Sequence, residues 1–438
     1  MSRRCMIQIL LAIGLLCISA AGFAYYPPNG PNNMVANMNQ LNAHGTIAMK
    51  ALDVLAADGK GAARSFFEPL KQSLLNGTRQ ADTGGGDFSI AGRAIPKNSF
   101  THFYNPNTQK GFVLDFGEYN FIKNGVSFLS LAPWKYCTLK GPHPSMADMA
   151  DWYYAQAVRS ARQGNMPQAA TYLGFVLHYV SDATVPQHVA DEGAQKPGSQ
   201  HQEYENYCDT AAATNFPHAA RGGLYKPDSW TPSQYVKDAA SYSKPLLSKA
   251  KNSSQFGQAA NPMIPTAERY CAAILDRFFR LRDSEQFSVV VVTIDEVKAV
   301  SYWIKTKQLD FPDDADFYAY VTIDGRQYDT GIVDGTNDMY PQTILPYVWV
   351  FPKWITATSG TKQIKFAVWD DDGITGDDKA YICPKKGEKE LWINYNLATG
   401  AVTGDTSATR SGTKTSVHTK GNHDGDEAEI WFNVERWP

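Results

Sequence analysis

Residues 168–209 read QAATYLGFVLHYVSDATVPQHVADEGAQKPGSQHQEYENYCD, and the interpretation of the whole chain starts from them. Two pairs in this stretch, His178 with Asp182 and His201 with Glu205, are four residues apart. On a helix this spacing places both side chains on one face, about one turn apart, where they can bind one ion. The residues before His178 are apolar (LGFVL), so we expect this helix to lie in the core with its ligands pointing inward. Because a buried polar group without a partner costs about 2–7 kcal/mol, the stretch predicts a bound cation.

The composition is that of a globular protein with more than one domain. The chain has 438 residues, of which 43% are hydrophobic and 19% charged. At about 150 residues per domain, this length predicts two domains. The formal net charge of −3 provides no long-range attraction for a polyanion, so no nucleic-acid partner is expected.

The first 24 residues have the order of a secretory signal peptide. Arg3 and Arg4 precede an apolar run over residues 7–18, and small residues follow up to Ala24. A membrane anchor would need about 20 apolar residues, more than this run provides. We therefore expect a secreted, extracellular protein whose mature chain begins at Tyr25.

Removal of the signal would leave four cysteines, Cys137, Cys208, Cys271 and Cys383. Four cysteines in an oxidising compartment allow three complete pairings. Both Cys208 and Cys271 lie in stretches with a helical pattern, and this favours a bridge between them. Buried thiols are the alternative.

Hydrophobic periodicity divides the chain into a helical part and a strand-rich part. Helical patterns cover residues 34–67, 146–158, 167–180, 233–251 and 265–287, with a corner at Gly164-Asn165. Strand patterns follow at 288–294, 317–323, 364–369, 391–395 and 429–434, separated by turns rich in Asp and Gly. We predict an all-α N-terminal domain over residues 25–285, followed by an antiparallel β-sandwich over 286–438, in a monomer.

The helical part contains a set of candidate metal ligands. They are His44, Asp82, His102, His178, Asp182, His188, His201 and Glu205. Asp82 and Asp87 both lie in a stretch from Gly77 that is rich in Gly and Asn and is predicted to be a loop, and spacing alone does not separate these two carboxylates. Histidine and carboxylate ligands without cysteine are typical of catalytic zinc. The set exceeds the four ligands of one zinc, which predicts two or three ions. A bridging carboxylate such as Asp182 would suit phosphoryl displacement, since one ion activates water while others hold phosphate oxygens.

Several motifs together resemble a known family. LHYVSDATVPQH and HQEYEN, with QAD and THFYNPNT upstream, resemble the bacterial zinc-dependent phospholipases C, the group that includes clostridial alpha-toxin. The resemblance covers residues 44–209. It implies a secreted enzyme that hydrolyses glycerophospholipids, phosphatidylcholine among them, to diacylglycerol and a phosphorylated head group.

The resemblance also implies a ligand assignment. One zinc would be held by Asp82, His102, His178 and Asp182, and a second by His188, His201 and Glu205. A third would use His44, Asp182 and the mature N-terminal residue. Asp82 is implied as the general base for the attacking water.

The sequence departs from the family at its mature N-terminus. The family begins with a Trp whose amine and carbonyl complete the third site, and no Trp lies between Ala24 and His44. Tyr25 would take that place. An extended residue spans about 3.3 Å, so the intervening chain can reach the site.

Two alternatives to a phospholipase remain open. Single-strand nucleases of the fungal type share a three-zinc core, although they tend to have Asp where this chain has Glu205. The second alternative is a non-catalytic surface protein whose metal site is structural and closed.

The strand-rich part resembles the calcium- and lipid-binding sandwiches of the C-two or PLAT type. Its carboxylates are predicted to lie in two loops between strands, Asp310 and Asp316 in the first and Asp370, Asp372 and Asp378 in the second. Calcium takes 6–8 oxygen ligands, so these segments predict calcium sites that would bridge to a phospholipid membrane surface. A solvated acidic loop is the alternative.

Overall fold

The computed structural model describes two compact units. The described residues are 41–83, 89–90, 93–94, 99–109, 111, 114–115, 138–139, 145–190, 200–212, 217–300, 317–330, 338–339, 349–370, 377–404, 406–422 and 426–437. The first unit groups residues 1–87, 96–109 and 149–284, and the second groups 88–95, 110–148 and 285–438. The predicted domain limits at residues 24 and 285 stay predictions.

The first unit is built from α-helices. They are α1 (Ala43–Ala57), α2 (Gly61–Phe67), α3 (Lys71–Thr83), α4 (Met146–Arg162), α5 (Met166–Asp182), α6 (Gln200–Ala212), α7 (Pro232–Ser243), α8 (Leu247–Ala250) and α9 (Phe256–Leu281). Short 3-10 helices cover Glu68–Leu70, Ser99–His102, Pro186–Val189, Lys244–Leu246 and Ser253–Gln255. None of the helices among these described residues is both long and apolar enough to cross a bilayer.

The ends of the helices follow local sequence signals. Asn42 caps α1 by accepting a hydrogen bond from the amide of Gly45, and α1 ends before Gly59, whose φ of 74° suits glycine. Gly164, with φ of 80°, makes the predicted corner between α4 and α5. The stretch predicted as one helix over 233–251 is three shorter elements in the structure. The reason is Pro245, which lacks an amide hydrogen and begins a tighter turn.

Two glycines let α3 and α5 cross at close range. A Cβ on Gly174 would lie 2.2 Å from the carbonyl oxygen of Leu74, and a Cβ on Gly77 would lie 1.9 Å from that of Thr171. Such contacts are too short for any side chain, so the backbones meet only because neither residue has one. This crossing lies one turn before His178 on α5.

The second unit contains an antiparallel β-sandwich, and the predicted fold class is confirmed. Two short pairs precede it, β1 (Ser89–Ile90) with β2 (Arg93–Ala94) and β3 (Leu114–Asp115) with β4 (Thr138–Leu139). The remaining strands are β5 (Ser288–Ala299), β6 (Phe317–Ile323), β7 (Arg326–Asp329), β8 (Asp338–Met339), β9 (Val350–Ile355), β10 (Thr361–Asp370), β11 (Asp378–Lys379), β12 (Leu391–Asn396), β13 (Val402–Thr403), β14 (Ser407–Ser411), β15 (Lys414–Lys420) and β16 (Ala428–Trp437).

These strands form two sheets that pack face to face. One sheet has the order β13-β12-β10-β6-β7, with β11 beside β10. The other has the order β14-β15-β16-β5-β8, with β9 beside β5. Burial alternates along β6, as expected for a strand with one face in the core. Phe366 of β10 contacts Phe432 of β16 with ring centroids 4.1 Å apart, which joins the two inner faces.

The favoured disulfide between Cys208 and Cys271 is wrong. Both residues are buried thiols that form no disulfide, as is Cys383. The Cys271 sulfur instead lies 3.7 Å from the carbonyl oxygen of Leu177 on α5. Burial raises the pKa of the Cys271 thiol, which keeps it protonated and unreactive.

The crossing of α3 and α5 predicts a large effect of one methyl group. Gly174→Ala should lower the free energy of unfolding by about 3 kcal/mol, because overpacking forces the helices apart. Denaturant unfolding of the full chain measures this. Gly61→Ala is the matched control, since nothing lies within 4 Å of a Cβ there. Equal stability of the two variants would contradict the close crossing.

Candidate metal centre

Seven of the predicted ligands meet in the interior of the helical unit. They come from the start of α1 (His44), the 3-10 helix Ser99–His102 (His102), α5 (His178 and Asp182), the 3-10 helix Pro186–Val189 (His188) and α6 (His201 and Glu205). All seven residues are buried, with at most 5% of their surface exposed. Burying this many ionisable groups together is costly unless they share charge or a cation.

The ligand atoms fall into two groups. His44, His178 and Asp182 form the first group, and His188, His201 and Glu205 form the second. Within each group, the candidate ligand atoms lie within 4.8 Å of one another. The second group matches the set that the resemblance implied for one ion.

Asp182 lies between imidazoles on both sides. Its Oδ1 is 3.4 Å from Nε2 of His44 and 3.6 Å from Nδ1 of His188. Its Oδ2 is 2.6 Å from Nδ1 of His102 and 3.2 Å from Nε2 of His178. Because the two oxygens of one carboxylate face different histidines, Asp182 has the position of a bridging ligand.

The backbone of α3 orients His178. Nδ1 of His178 donates a 2.8 Å hydrogen bond to the carbonyl oxygen of Thr78, next to the glycine crossing. This bond assigns the proton to Nδ1 and leaves Nε2 as the lone-pair nitrogen facing Asp182. Hydrogen bonds of this kind from the outer nitrogen fix the ring orientation of metal-binding histidines.

Other contacts position the loop that carries His102. The amide of Tyr104 donates a 3.0 Å hydrogen bond to the carbonyl of His188, and the Phe103 ring stacks on the His188 ring at a centroid distance of 4.9 Å. These contacts join the loop after His102 to the turn that carries His188. The two loops therefore hold each other in place around Asp182.

Glu205 joins the two histidines of the second group. Its Oε1 lies 3.0 Å from Nε2 of His188 and 2.7 Å from Nε2 of His201. His188 thus contacts Glu205 through one ring nitrogen and approaches Asp182 through the other. It connects the two groups.

The carboxylates are held in their charged form. Burial alone raises the pKa of Asp182 and of Glu205, since it disfavours a charge. The surrounding imidazoles outweigh burial, that of His178 most strongly at Asp182 and that of His201 at Glu205, and both carboxyl pKa values lie well below their ordinary range. Both groups are therefore available as anionic ligands at neutral pH.

The pKa values of two of the imidazoles, those of His44 and His188, are shifted in opposite directions. Burial, together with the stacked ring of His178 at 3.9 Å, lowers the pKa of His44 well below its ordinary value despite the nearby Asp182. Burial also lowers the pKa of His188, but Asp182 and Glu205 more than compensate and raise it to about 10. Without a metal ion, a proton on His188 supplies the positive charge that the two carboxylates require.

This donor set fits zinc. Oδ1 of Asp182 and Nδ1 of His188 are buried and have no hydrogen-bond partner among the described residues. Unsatisfied buried atoms of this kind are costly, and a cation between them would satisfy both. Imidazole and carboxylate ligands without thiolates are those of catalytic zinc sites.

The side chains of five other predicted ligands lie outside the described residues. Asp82 lies in the last turn of α3 rather than in the predicted loop, because the helix continues to Thr83, and its side chain is outside the described residues. Tyr25, Asp310, Asp316 and Asp372 are also outside them.

Two of the predicted calcium ligands lie in described strands. Asp370 is buried at the end of β10, opposite the exposed Asp378 of β11. Both residues belong to paired strands rather than to the predicted loop. Calcium binding by these residues stays a prediction.

Sequence reasoning missed three supporting residues. They are Thr78, whose carbonyl orients His178, Ser181, whose hydroxyl lies 2.6 Å from Nδ1 of His44, and Asp209 on α6. Asp209 could have been found, because it continues the four-residue spacing of His201 and Glu205. The other two depend on contacts between distant segments, which no local pattern reveals.

The helices that carry both groups also match a known family. Residues 43–253 match the family model of zinc dependent phospholipase C. The match covers just under half of the chain, and it confirms the predicted resemblance for the helical part. A phospholipase C from Bacillus cereus is 31% identical over 93 residues, 21% of this chain and 32% of that protein. The chain thus spans about a third of the length of this curated relative.

Solved structures of two toxins are similar over most of the chain. The alpha toxin from Clostridium absonum has a TM-score of 0.43 and 16% identity, and covers 83% of this chain and 99% of the toxin. An alpha-toxin from Clostridium perfringens has a TM-score of 0.42 and 15% identity, with 84% and 98% covered.

The raised pKa of His188 predicts that zinc displaces a proton. Below a pH of about 10 the metal-free ring is protonated, and a ligand must give up its proton to bind. Zinc binding at pH 7.5 should therefore release at least one proton, and zinc affinity should fall as the pH is lowered. Calorimetry in two buffers of different protonation enthalpy measures the release. Heats that are independent of the buffer would contradict a protonated His188.

Proposed function

We propose that this protein is a secreted, zinc-dependent phospholipase C. It would hydrolyse glycerophospholipids, phosphatidylcholine among them, to diacylglycerol and a phosphorylated head group, as a phosphoric diester hydrolase. The observation that carries the proposal is the position of Asp182, a carboxylate of the first ligand group whose Oδ1 also lies 3.6 Å from Nδ1 of His188 in the second group. The family match over residues 43–253 supports the same reaction class.

The ligand assignment is part of the proposal. His188, His201 and Glu205 would hold one zinc, and their mutual distances support this. A second would be held by His178 and Asp182 with His102 and Asp82. A third would use His44 and Asp182 with the mature N-terminal residue, proposed as Tyr25. Zinc bound in such a cluster polarises phosphate oxygens and lowers the pKa of water.

The charge and burial of the site would suit an anionic substrate. The two carboxylates offset the charge of the ions, so the bound cluster keeps a net positive charge that attracts a phosphodiester. The deep burial of Asp182 and His178 excludes bulk water and strengthens every charge interaction inside.

Asp82 is proposed as the general base. It lies one helical turn after Thr78 on α3, and Thr78 contacts His178 directly. The four-residue spacing places Asp82 on the same face of α3 as Thr78. A base in this position would take a proton from the attacking water, provided that one of its oxygens is not used by the metal.

The second unit is proposed to dock the enzyme on a phospholipid membrane surface. It is an antiparallel sandwich that would be of the C-two or PLAT type, with calcium at its acidic loops. Aromatic residues Trp369 and Trp392 and two lysines lie on one sheet, with Lys365 Nζ 5.3 Å from the ring centroid of Trp392 and Lys379 Nζ 5.3 Å from that of Trp369. We propose that the protein acts as a monomer.

Substitution of Asp182 tests the function directly. Asp182→Asn should lose at least one zinc and lower phosphatidylcholine hydrolysis by about 100-fold or more, since the bridging charge is removed. Asp53→Asn on α1 is the control, because that carboxylate is 60% exposed. Zinc content and diacylglycerol release measure the effect. In the wild-type protein, chelation should abolish hydrolysis and zinc should restore it. Zinc-loaded protein that cleaves no phospholipid would refute the proposal.

The second group can be tested separately. Glu205→Gln should deplete one zinc selectively, because the carboxylate charge that holds His188 and His201 together is lost. Glu203→Gln is the matched control, two residues away on the same helix and exposed. Metal analysis of the purified variants measures zinc per chain. Unchanged zinc content in Glu205→Gln would contradict its assignment as a ligand.

A further inference from the structure

An acidic residue, Asp209, follows the two ligands His201 and Glu205 along α6. Asp209 lies four residues after Glu205 and eight after His201. This spacing places all three on one face of the helix. Asp209 is not in either ligand group, although it lies at the end of the same row.

Asp209 contacts the first turn of another helix. Its Oδ1 accepts a 2.7 Å hydrogen bond from the backbone amide of Ala43, the first residue of α1. Amides in the first turn of a helix have no acceptor within the helix. Asn42 satisfies the amide of Gly45, and α1 has no acidic residue in its own first turn. Asp209 therefore supplies both an acceptor and a negative charge at the positive end of α1.

The contact lies directly beside a ligand of the first group. His44 follows Ala43, and its Nε2 is 3.4 Å from Oδ1 of Asp182. The position of His44 depends on where the first turn of α1 lies, because the residue is at the second position of the helix. The bond from Asp209 thus joins α6, which carries ligands of the second group, to the segment that carries His44.

We propose that Asp209 is a positioning residue that couples the two ligand groups. It holds the first turn of α1 against α6, so that His44 meets Asp182 at the distance required for a shared ion. It does not bind metal in this proposal. The inference rests on the proposal that the cluster binds zinc, and it adds a residue to which neither the motifs nor the ligand assignment gives a role.

Zinc titration of single variants measures the coupling. Asp209→Ala should weaken the binding of one zinc by about 10-fold or more, the effect that lost outer contacts commonly have on metal affinity. Asp209→Asn keeps an acceptor oxygen and should lose less. Glu203→Ala, an exposed carboxylate on the same helix, should leave zinc affinity unchanged.

A double-mutant cycle separates positioning from general destabilisation. If Asp209 acts through His44, then Asp209→Ala should cause no further loss of zinc affinity in a His44→Ala background. An equal loss in both backgrounds, or no loss in either, would overturn the proposal. Circular dichroism shows whether each variant is folded. If Asp209→Ala does not fold, Asp209→Asn takes its place in the cycle.

The result also distinguishes this inference from the proposed function. Absence of zinc binding by the wild-type protein would refute the metal centre itself. Zinc binding by the wild type with unchanged affinity in Asp209→Ala would refute only the positioning role.

Discussion

The structure of the helical unit depends on one buried negative charge. Asp182 has no exposed surface, and histidines from three other segments approach it alongside His178 of its own helix. A carboxylate in such a position is tolerated only when positive charge surrounds it. The protonated His188 provides this charge in the metal-free protein, and zinc would provide it in the zinc-loaded protein. Because the buried carboxylate requires positive charge around it, the cluster is costly without a partner and would bind cations strongly.

The helices supply this arrangement because they are rigid and cross closely. The glycine contact between α3 and α5 brings the Thr78 carbonyl within 2.8 Å of His178, which fixes that ring. The bond between Asp209 and Ala43 brings the start of α1 to α6. The ligands, which lie between positions 44 and 205, are therefore brought together by the packing of separate helices and not by one continuous segment. A change in one helix crossing would affect several ligands together.

Local patterns in the sequence predict the elements well and their contacts poorly. The four-residue spacings located both ligand pairs on helices, and alternation located β6 at its observed limits. The hairpin of β14 and β15 was missed because its strands are polar, although Gly412 with φ of 61° marks its turn. Strand β9 was not predicted because it contains Pro352, and proline is rare within strands.

Contacts between distant segments account for the other differences. The expected bridge between Cys208 and Cys271 depended on placing two helices relative to each other, which periodicity does not determine. The role of Asp209 was missed for the same reason. Its spacing is visible in the sequence, but its partner is a backbone amide more than 160 residues earlier.

Anomalous diffraction at the zinc absorption edge, from crystals of the zinc-loaded protein, tests the central claim most directly. We expect separate zinc peaks on the two sides of the Asp182 carboxylate, each about 2.0–2.2 Å from one of its oxygens. Zinc peaks bound only elsewhere, with both Asp182 oxygens bonded solely to protein groups, would contradict a shared metal centre.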